Sequence, residues 1–550
     1  MSPAPRAPRA HLLIAGILVA LFLAQSFSAS RQKTPVFDEP PHIASGLSYL
    51  DTHVFHANLQ HPPLLKEMSA LSLRMAGIRW PATPLADKVI EGGPDGENME
   101  WPVGNDIIAA NGPDRVMFWA RLPFILLAGA LGFLLYWWGR ELVGSGAALG
   151  ALFLYALDPT ILAHSFLVTT DVGVTTFVVL FLFGLWRYLQ HPNWQRLAFC
   201  GLAMGLMLCA KFSAVFLLPI AASLLVAAVR WPIGSPPGTT DRRRVTTYLL
   251  AFAGMCVIAA VVVEALYFFP SDPFLYLAGM RKLNADHLVG HDAYFNGELA
   301  RRFYSYFVAA YLLKEPLASV VLAGAGLVLL LRNQTTPALT KLFLLVTPAA
   351  FLVINTLLAD DLGIRYIIPA LPFAYLLGGL ALSSLLEGRL AWGRPAAAML
   401  CAWLVVAAAG IYPDHLSYFN EAACLPESSS EIGWDGGSRC GPQWMDDSNV
   451  DWGQGIKQLR AWAEQHAKGR TLQLVYFGSF PPESYGLACE RFDAKALMTK
   501  PPAGLYALSA NYVGRIPAVV ASVAAGGSSW ISQTTPIAIV GHAFYVYDIH

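Results

Sequence analysis

The chain has 550 residues, 55% of them hydrophobic and only 13% charged, and its 37 Lys+Arg balance 37 Asp+Glu to a formal net charge of +0. A soluble domain carries about 25% charged residues, so the deficit, with a mean hydropathy of +0.47, excludes a wholly water-facing surface and implies a polytopic α-helical membrane protein. Neutrality excludes a broad basic surface, and with no recognition motif in the chain no nucleic-acid partner is expected.

A helix needs about 20 mostly apolar residues to cross a bilayer. Eleven stretches qualify: 11–30, 116–138, 143–163, 171–190, 196–211, 213–230, 246–268, 316–332, 341–358, 366–386 and 395–411. The first follows Arg6 and Arg9 and ends in SFSAS, as a signal peptide would, but its apolar run is long and reads as an uncleaved anchor. The fifth and sixth meet at Lys211–Phe212 and can also be read as one long segment. MSPAPRAPRA and GSPPGTTDRRR have the composition of disordered segments. No internal repeat of the kind that marks many transporters is visible.

Arg140, Arg187, Arg196, Arg230, the Arg242–Arg244 cluster, Arg332, Lys341, Arg389 and Arg394 all fall on the side of the N-terminus. Positive residues in short loops mark the cytoplasm. The long loops 31–115 and 269–315, and the tail beyond Ile411, are therefore expected outside.

The first outer loop begins PVFDEPPHIASGLSYLDTHVFHANLQHPPLLK (35–66). Ionisable groups at span ends are functional candidates, because charge near a bilayer is costly. Asp38 and Glu39 stand about eight residues beyond the first span, and Asp171 opens the fourth on the same side. Facing carboxylates suit either a general base or a divalent-metal site of hard oxygen ligands, so Asp38 and Asp171 are also the candidate metal ligands and a divalent cation the one cofactor left open. Asp171 can equally be a helix cap after Thr169–Thr170. His53, His56 and His61 lack the accompanying Cys or the HExxH helix of a zinc site. His61, held by Pro62–Pro63, is a candidate to orient an acid or bind a substrate hydroxyl. Lys66, Lys211 and Arg365 are candidate partners for phosphate oxygens; Arg365 can instead pair with Asp360–Asp361, and Arg121 and Lys211 can simply snorkel to the interface.

The tail changes character. WDGGSRC and DDSNVDWGQG are turn-rich, GIKQLRAWAEQHA is an amphipathic helix, and LQLVYFG, GLYALSA and AFYVYDI read as strands, which together predict a small external α/β domain. The expected division is 1–411 membrane domain, including loop 31–115, and 412–550 external domain. DDSNVD places Asp447, Asn449 and Asp451 alternately, but Trp452 stands where a calcium loop needs glycine and Gln458 where it needs the bidentate Glu. Cys200, Cys209, Cys256 and Cys401 lie in apolar runs, and a Cys424–Cys440 disulfide is open if the tail meets an oxidising compartment.

FDEPPHIASGLSYL, HPPLLK, AHSFLVTTDVGVTTF, CAKFSAVFLLP, RYIIPALPF, and YFNEAAC followed by DDSNVDWGQGIKQLRAW together resemble the C-type membrane glycosyltransferases (the GT-C superfamily), closest to bacterial relatives of the protein O-mannosyltransferases of glycosyltransferase family 39. The resemblance covers about residues 35–465. It implies an inverting transfer from a polyprenyl-phosphate-linked sugar to the hydroxyl of a protein, glycan or lipid acceptor, at the outer face of a bacterial inner membrane. It implies Asp38, with Glu39 beside it, as the acid serving the acceptor, Asp171 near the reaction centre, and Lys66 and Arg365 at the donor phosphate. Loop 269–315 is too short for the β-trefoil domain inserted in the eukaryotic enzymes, which puts a protein acceptor in question. A membrane transporter of a glycolipid or small solute is the alternative from another class, but its binding site would lie at the bilayer midplane rather than at span ends; a non-catalytic sugar-binding or assembly protein is the second alternative.

Overall fold

The computed structural model describes residues 9–233, 241–289, 292–388, 390–425, 428–523 and 527–550. Among the described residues, eight helices are long and apolar enough to span a membrane, the first Arg9–Gln32 and the last Gly393–Ile411. The other three sequence candidates take shorter or bent forms. In 143–163 the helix Ser145–Ala156 stops and Pro159–His164 starts anew, because Pro159 drives Asp158 into an extended conformation, from which its carboxylate caps Ile161 N–H at 2.9 Å. In 196–211 the helix Trp194–Leu208 ends before Lys211, whose extended backbone separates it from Phe212–Arg230; these are two elements. The eighth candidate, Leu317–Arg332, is bent 114° from Tyr306–Lys314 at Glu315–Pro316.

Of the segments expected to be disordered, residues 1–8 and 234–240 lie outside the described residues, while Arg9 and the DRRR of 241–244 are helical. Loop 31–115 is itself largely helical, with Glu39–Thr52, Leu64–Met75, Pro84–Glu91 and Glu100–Ala110. Pro40 and Pro41 occupy the first turn of Glu39–Thr52, where a missing N–H costs nothing. Gly46 on that helix would place a Cβ 2.2 Å from the Lys66 carbonyl oxygen, so the contact with Leu64–Met75 needs glycine.

Two strands of loop 269–315, β1 (Ala293–Phe295) and β2 (Glu298–Ala300), form an antiparallel hairpin. The tail builds a five-stranded sheet from β3 (Leu472–Val475), β4 (Glu490–Arg491), β5 (Gly504–Ser509), β6 (Ala538–Val540) and β7 (Phe544–Ile549), in the order β4-β3-β5-β7-β6. β3 runs parallel to β4 and β5, and β7 antiparallel to β5 and β6. The amphipathic helix Ile456–His466 lies where its sequence predicts it. Cys424 and Cys440 are disulfide-bonded.

The arginine-rich turns and the acidic cluster lie at opposite ends of the same helices. Arg187 pairs with Glu141 at 2.7 Å near one end of Asp171–Gln190, and Asp171 opens the other, about 24 Å away at 1.5 Å per residue.

Candidate active site

Asp38 ends the extended segment that leaves the first span. Thr34 N–H donates to the Gln454 carbonyl at 3.1 Å and Phe37 N–H to the Trp452 carbonyl at 2.8 Å, so the DSNVDWGQ stretch of the tail fixes this segment. Glu39 fixes it from behind. Its oxygens accept both N–H arms of Arg121 at 2.8 and 2.6 Å, Val36 N–H at 2.9 Å and Val168 N–H at 3.0 Å. Both side chains are 0% exposed. The acidic pair is therefore split: Glu39 spends its bonding capacity inside the protein, and only Asp38 faces the opening. Arg121 does not snorkel, because it carries this buried carboxylate.

Asp38 Oδ2 accepts from Arg365 Nη1 at 3.1 Å, with 24% of its side chain exposed. Burial raises its pKa above the ordinary carboxylate value; Arg365 opposes this, while the charges of Asp447 and Asp171 reinforce it. The Arg365 guanidinium carbon lies over the Trp452 ring, 4.4 Å from its centre. Arg365 pairs with Asp38, while Asp361 accepts Phe303 N–H. The turn before Arg365 is pinned by the tail, with Ile364 N–H donating to Asn449 Oδ1 at 3.1 Å and Ser448 Oγ to the Leu362 carbonyl at 2.6 Å. Gly363 there has φ +138°, and a Cβ would lie 2.5 Å from Ser448 Oγ.

Asp171 is 1% exposed and accepts from Lys211 Nζ at 2.8 Å. It starts its helix without capping it, and the preceding Thr170 makes no side-chain cap; the carboxylate is engaged by Lys211. Lys211 also lies 4.8 Å from the centre of the Tyr366 ring. Each carboxylate thus holds a cationic side chain, and among the described residues no three His, Cys, Asp or Glu converge as ligands for a metal ion. The donor set in this arrangement does not fit a divalent cation.

His42 and His61 form the remaining wall, their ring centres 5.1 Å apart. His42 Nδ1 bonds the Val168 carbonyl at 2.8 Å and therefore carries a proton there. Burial, with Lys66 adding to it, depresses His42 to about 3, and burial, with His42 next, lowers His61 likewise, so both rings are neutral. Lys66 is 1% exposed and donates to Tyr49 Oη at 3.0 Å and to the carbonyls of Asn58 and His61 at 2.6 and 2.8 Å. Its three protons are spent and burial pushes its pKa down to about 7, so it holds the HPPLLK turn from behind. His53 rests against Phe268 and His56 on the Ile90 carbonyl, apart from His61.

Several buried polar atoms at this place have no hydrogen-bond partner: Asp171 Oδ2, Arg365 Nε, His61 Nδ1, His164 Nδ1 and Thr169 Oγ1. Unsatisfied buried polar atoms are costly in a finished core, and these belong to the two ion pairs or to residues beside them. Asp447, Asn449, Trp452, His42 and His164 also stand at the candidate site; Asp447 and Asn449 entered from sequence only as positions of a rejected calcium loop, and the signal for the first three was the DSNVDWGQ stretch.

Residues 114–263 match the family model described as dolichyl-phosphate-mannose-protein mannosyltransferase. That segment is similar to this mannosyltransferase family. It includes Asp171, Lys211 and Arg121, and bears out the class read from the opening loop. No curated protein matches the chain. Among solved structures, ArnT from Cupriavidus metallidurans bound to undecaprenyl phosphate is similar at 13% identity and a TM-score of 0.47, over 96% of this chain and 97% of that one. Archaeal oligosaccharyltransferase AglB from Archaeoglobus fulgidus, in complex with an inhibitory peptide and a dolichol-phosphate, is similar at 13% identity and 0.48, over 73% and 55%. The S. cerevisiae protein O-mannosyltransferase Pmt1-Pmt2 complex bound to the sugar donor is similar at 15% and 0.35, over 51% and 35%.

Proposed function

We propose that the protein transfers a sugar from a polyprenyl-phosphate donor to an acceptor hydroxyl at the outer face of the membrane, with Asp38 serving the acceptor. The observation that carries this is the pairing of Asp38 with Arg365, next to Asp171 with Lys211, at the end of a membrane bundle whose segment 114–263 matches a mannosyltransferase family.

In the transfer the acceptor oxygen bonds to the anomeric carbon as the bond from that carbon to the phosphate oxygen breaks, and the electron pair leaves with the lipid phosphate. The acceptor proton moves to Asp38 Oδ, whose raised pKa suits a base. No protein nucleophile is needed, and a single displacement inverts the anomeric carbon. The leaving phosphate gains a negative charge, and Arg365 and Lys211 are the cations placed to receive it. Arg365 then exchanges Asp38 for phosphate, so donor binding frees the base. His61 and His42, being neutral, are suited to sugar hydroxyls. Of the residues proposed here from sequence, Glu39 and Lys66 act by holding this frame.

Membranes containing the protein are to be tested against a panel of radiolabelled polyprenyl-phosphate sugars. Asp38→Asn keeps shape and removes charge, and is expected to lose about 10²–10⁴-fold in turnover while donor binding stays within a few-fold. Near-normal turnover of a folded Asp38→Asn protein would overturn the assignment.

A further inference from the structure

A second cavity, of about 380 Å³, lies between the outer ends of the helices Arg9–Gln32 and Pro113–Leu142, beneath the helix Ile456–His466. Its outer wall is polar: Ser30, Arg31, Lys33, Asp114, Arg115 and Lys457. Its inner wall is apolar: Phe27, Met117, Phe118, Leu122 and Ile125. The two walls follow the chain directions. Going inward along the second helix, Asp114 and Arg115 give way to Phe118, Leu122 and Ile125, and going outward along the first, Phe27 gives way to Ser30 and Arg31. From Arg115 to Ile125 this polarity gradient runs about 15 Å along the helix axis.

Four cations face one carboxylate. Lys457 pairs with Asp114 at 2.6 Å, and Lys33 with the buried Asp414 outside the cavity. Arg115 donates to the Ala76 carbonyl and Arg31 lies near the Phe27 ring, neither paired with an acid among the described residues. The positive-inside bias gives no reason for this cluster, because it sits at the end of the bundle opposite the arginine-rich turns. Arg121 backs the wall through the carbonyls of Ser30 and Lys33 at 2.9 and 3.1 Å, which makes the pocket a rigid neighbour of the Asp38 frame and not an extension of its opening.

We infer that this cavity binds a phosphate-bearing membrane lipid, its headgroup on Arg31 and Arg115 and an acyl chain along Phe118, Leu122 and Ile125. An anionic headgroup meets the cations at the water boundary, and the chain meets the apolar wall at hydrocarbon depth; a free phosphate would use only half of the site.

The test uses the full-length protein in vesicles of phosphatidylcholine with spin-labelled phosphatidylglycerol or spin-labelled phosphatidylcholine, reading the motionally restricted lipid fraction by electron paramagnetic resonance. The wild type is expected to retain labelled phosphatidylglycerol in preference to labelled phosphatidylcholine. Arg31→Gln with Arg115→Gln, two exposed changes, is expected to weaken that preference about ten-fold, and inorganic phosphate is not expected to displace the lipid. Phe118→Ser, which leaves the charges in place, is expected to weaken it as well. Equal retention of both lipids by the wild type, an undiminished preference in the double arginine variant, or displacement by inorganic phosphate alone would overturn the inference.

Discussion

Glu39→Gln tests the division of labour inside the acidic pair. Arg121 has five N–H donors, and the structure gives each an acceptor: both Glu39 oxygens and the carbonyls of Ser30, Lys33 and Thr34. The substitution keeps the size of the side chain but leaves the guanidinium, 0% exposed, without its counter-charge. Breaking one partner of a buried pair costs about 3–5 kcal/mol. The amide also turns an N–H₂ toward donors at Arg121 or at the N–H of Val36 and Val168, which adds to the loss. The thermal midpoint of the detergent-solubilised protein should therefore fall, while turnover per folded molecule stays far closer to wild type than in Asp38→Asn. Adding Arg121→Met removes the stranded charge and should recover part of the midpoint, so the two changes should be non-additive. An unchanged midpoint with abolished turnover in Glu39→Gln would refute the reasoning and return Glu39 to the chemistry.

Replacing Cys424 and Cys440 together by serine opens a loop with a sequence separation of 16 and should cost about 3 kcal/mol on the chain-entropy account, read as a lowered thermal midpoint that reductant reproduces in the wild type. Reporter fusions at Pro237 and Lys468 should report opposite sides of the membrane, with Lys468 outside; matching signals would refute the proposed orientation. His542 bridges Asp414 and Asp435 at 2.9 and 2.8 Å; burial works against its charged form, but these two hydrogen bonds override it and push the pKa up to about 9. A raised pKa stabilises the fold fully below the unfolded value near 6.5, and the contribution is lost as pH rises through about 9, so the alkaline fall in thermal midpoint should flatten in His542→Gln.

The membrane part was legible because length and hydropathy alone set a span. Asp171–Gln190 begins and ends where the sequence places it. The misses have local causes that a sliding apolar window does not register: Pro159 breaks 143–163, the extended backbone at Lys211 cuts 196–211, and Glu315–Pro316 bends the eighth span. In the tail, strands β3, β5 and β7 carry enough apolar and aromatic residues to be read directly. β4 has two residues and β6 three, too short for any periodicity, and they exist because neighbouring strands offer them a hydrogen-bonded edge.

The site was legible in its charges and not in its frame. Asp38, Asp171, Lys211 and Arg365 stand out because an ionised group at a span end requires a reason. Asn449 and Trp452 carry no such requirement on the sequence, since an amide and an indole are at home in any turn. Trp452 acts through the tail folding back more than four hundred residues to meet Phe37, and Asn449 through Ile364, 85 residues away; local pattern is blind to contacts at such separations. The same blindness explains Glu39 and Lys66: as isolated ionisable groups they look identical to Asp38, Asp171 and Arg365. Only the partners distinguish them, because the bonding capacity of Glu39 and Lys66 is spent on the protein, whereas Asp171 and Arg365 each keep a buried polar atom unspent. Under the proposed transfer, the unspent atoms of Asp171 and Arg365 would meet the donor, while Glu39 and Lys66 hold the frame.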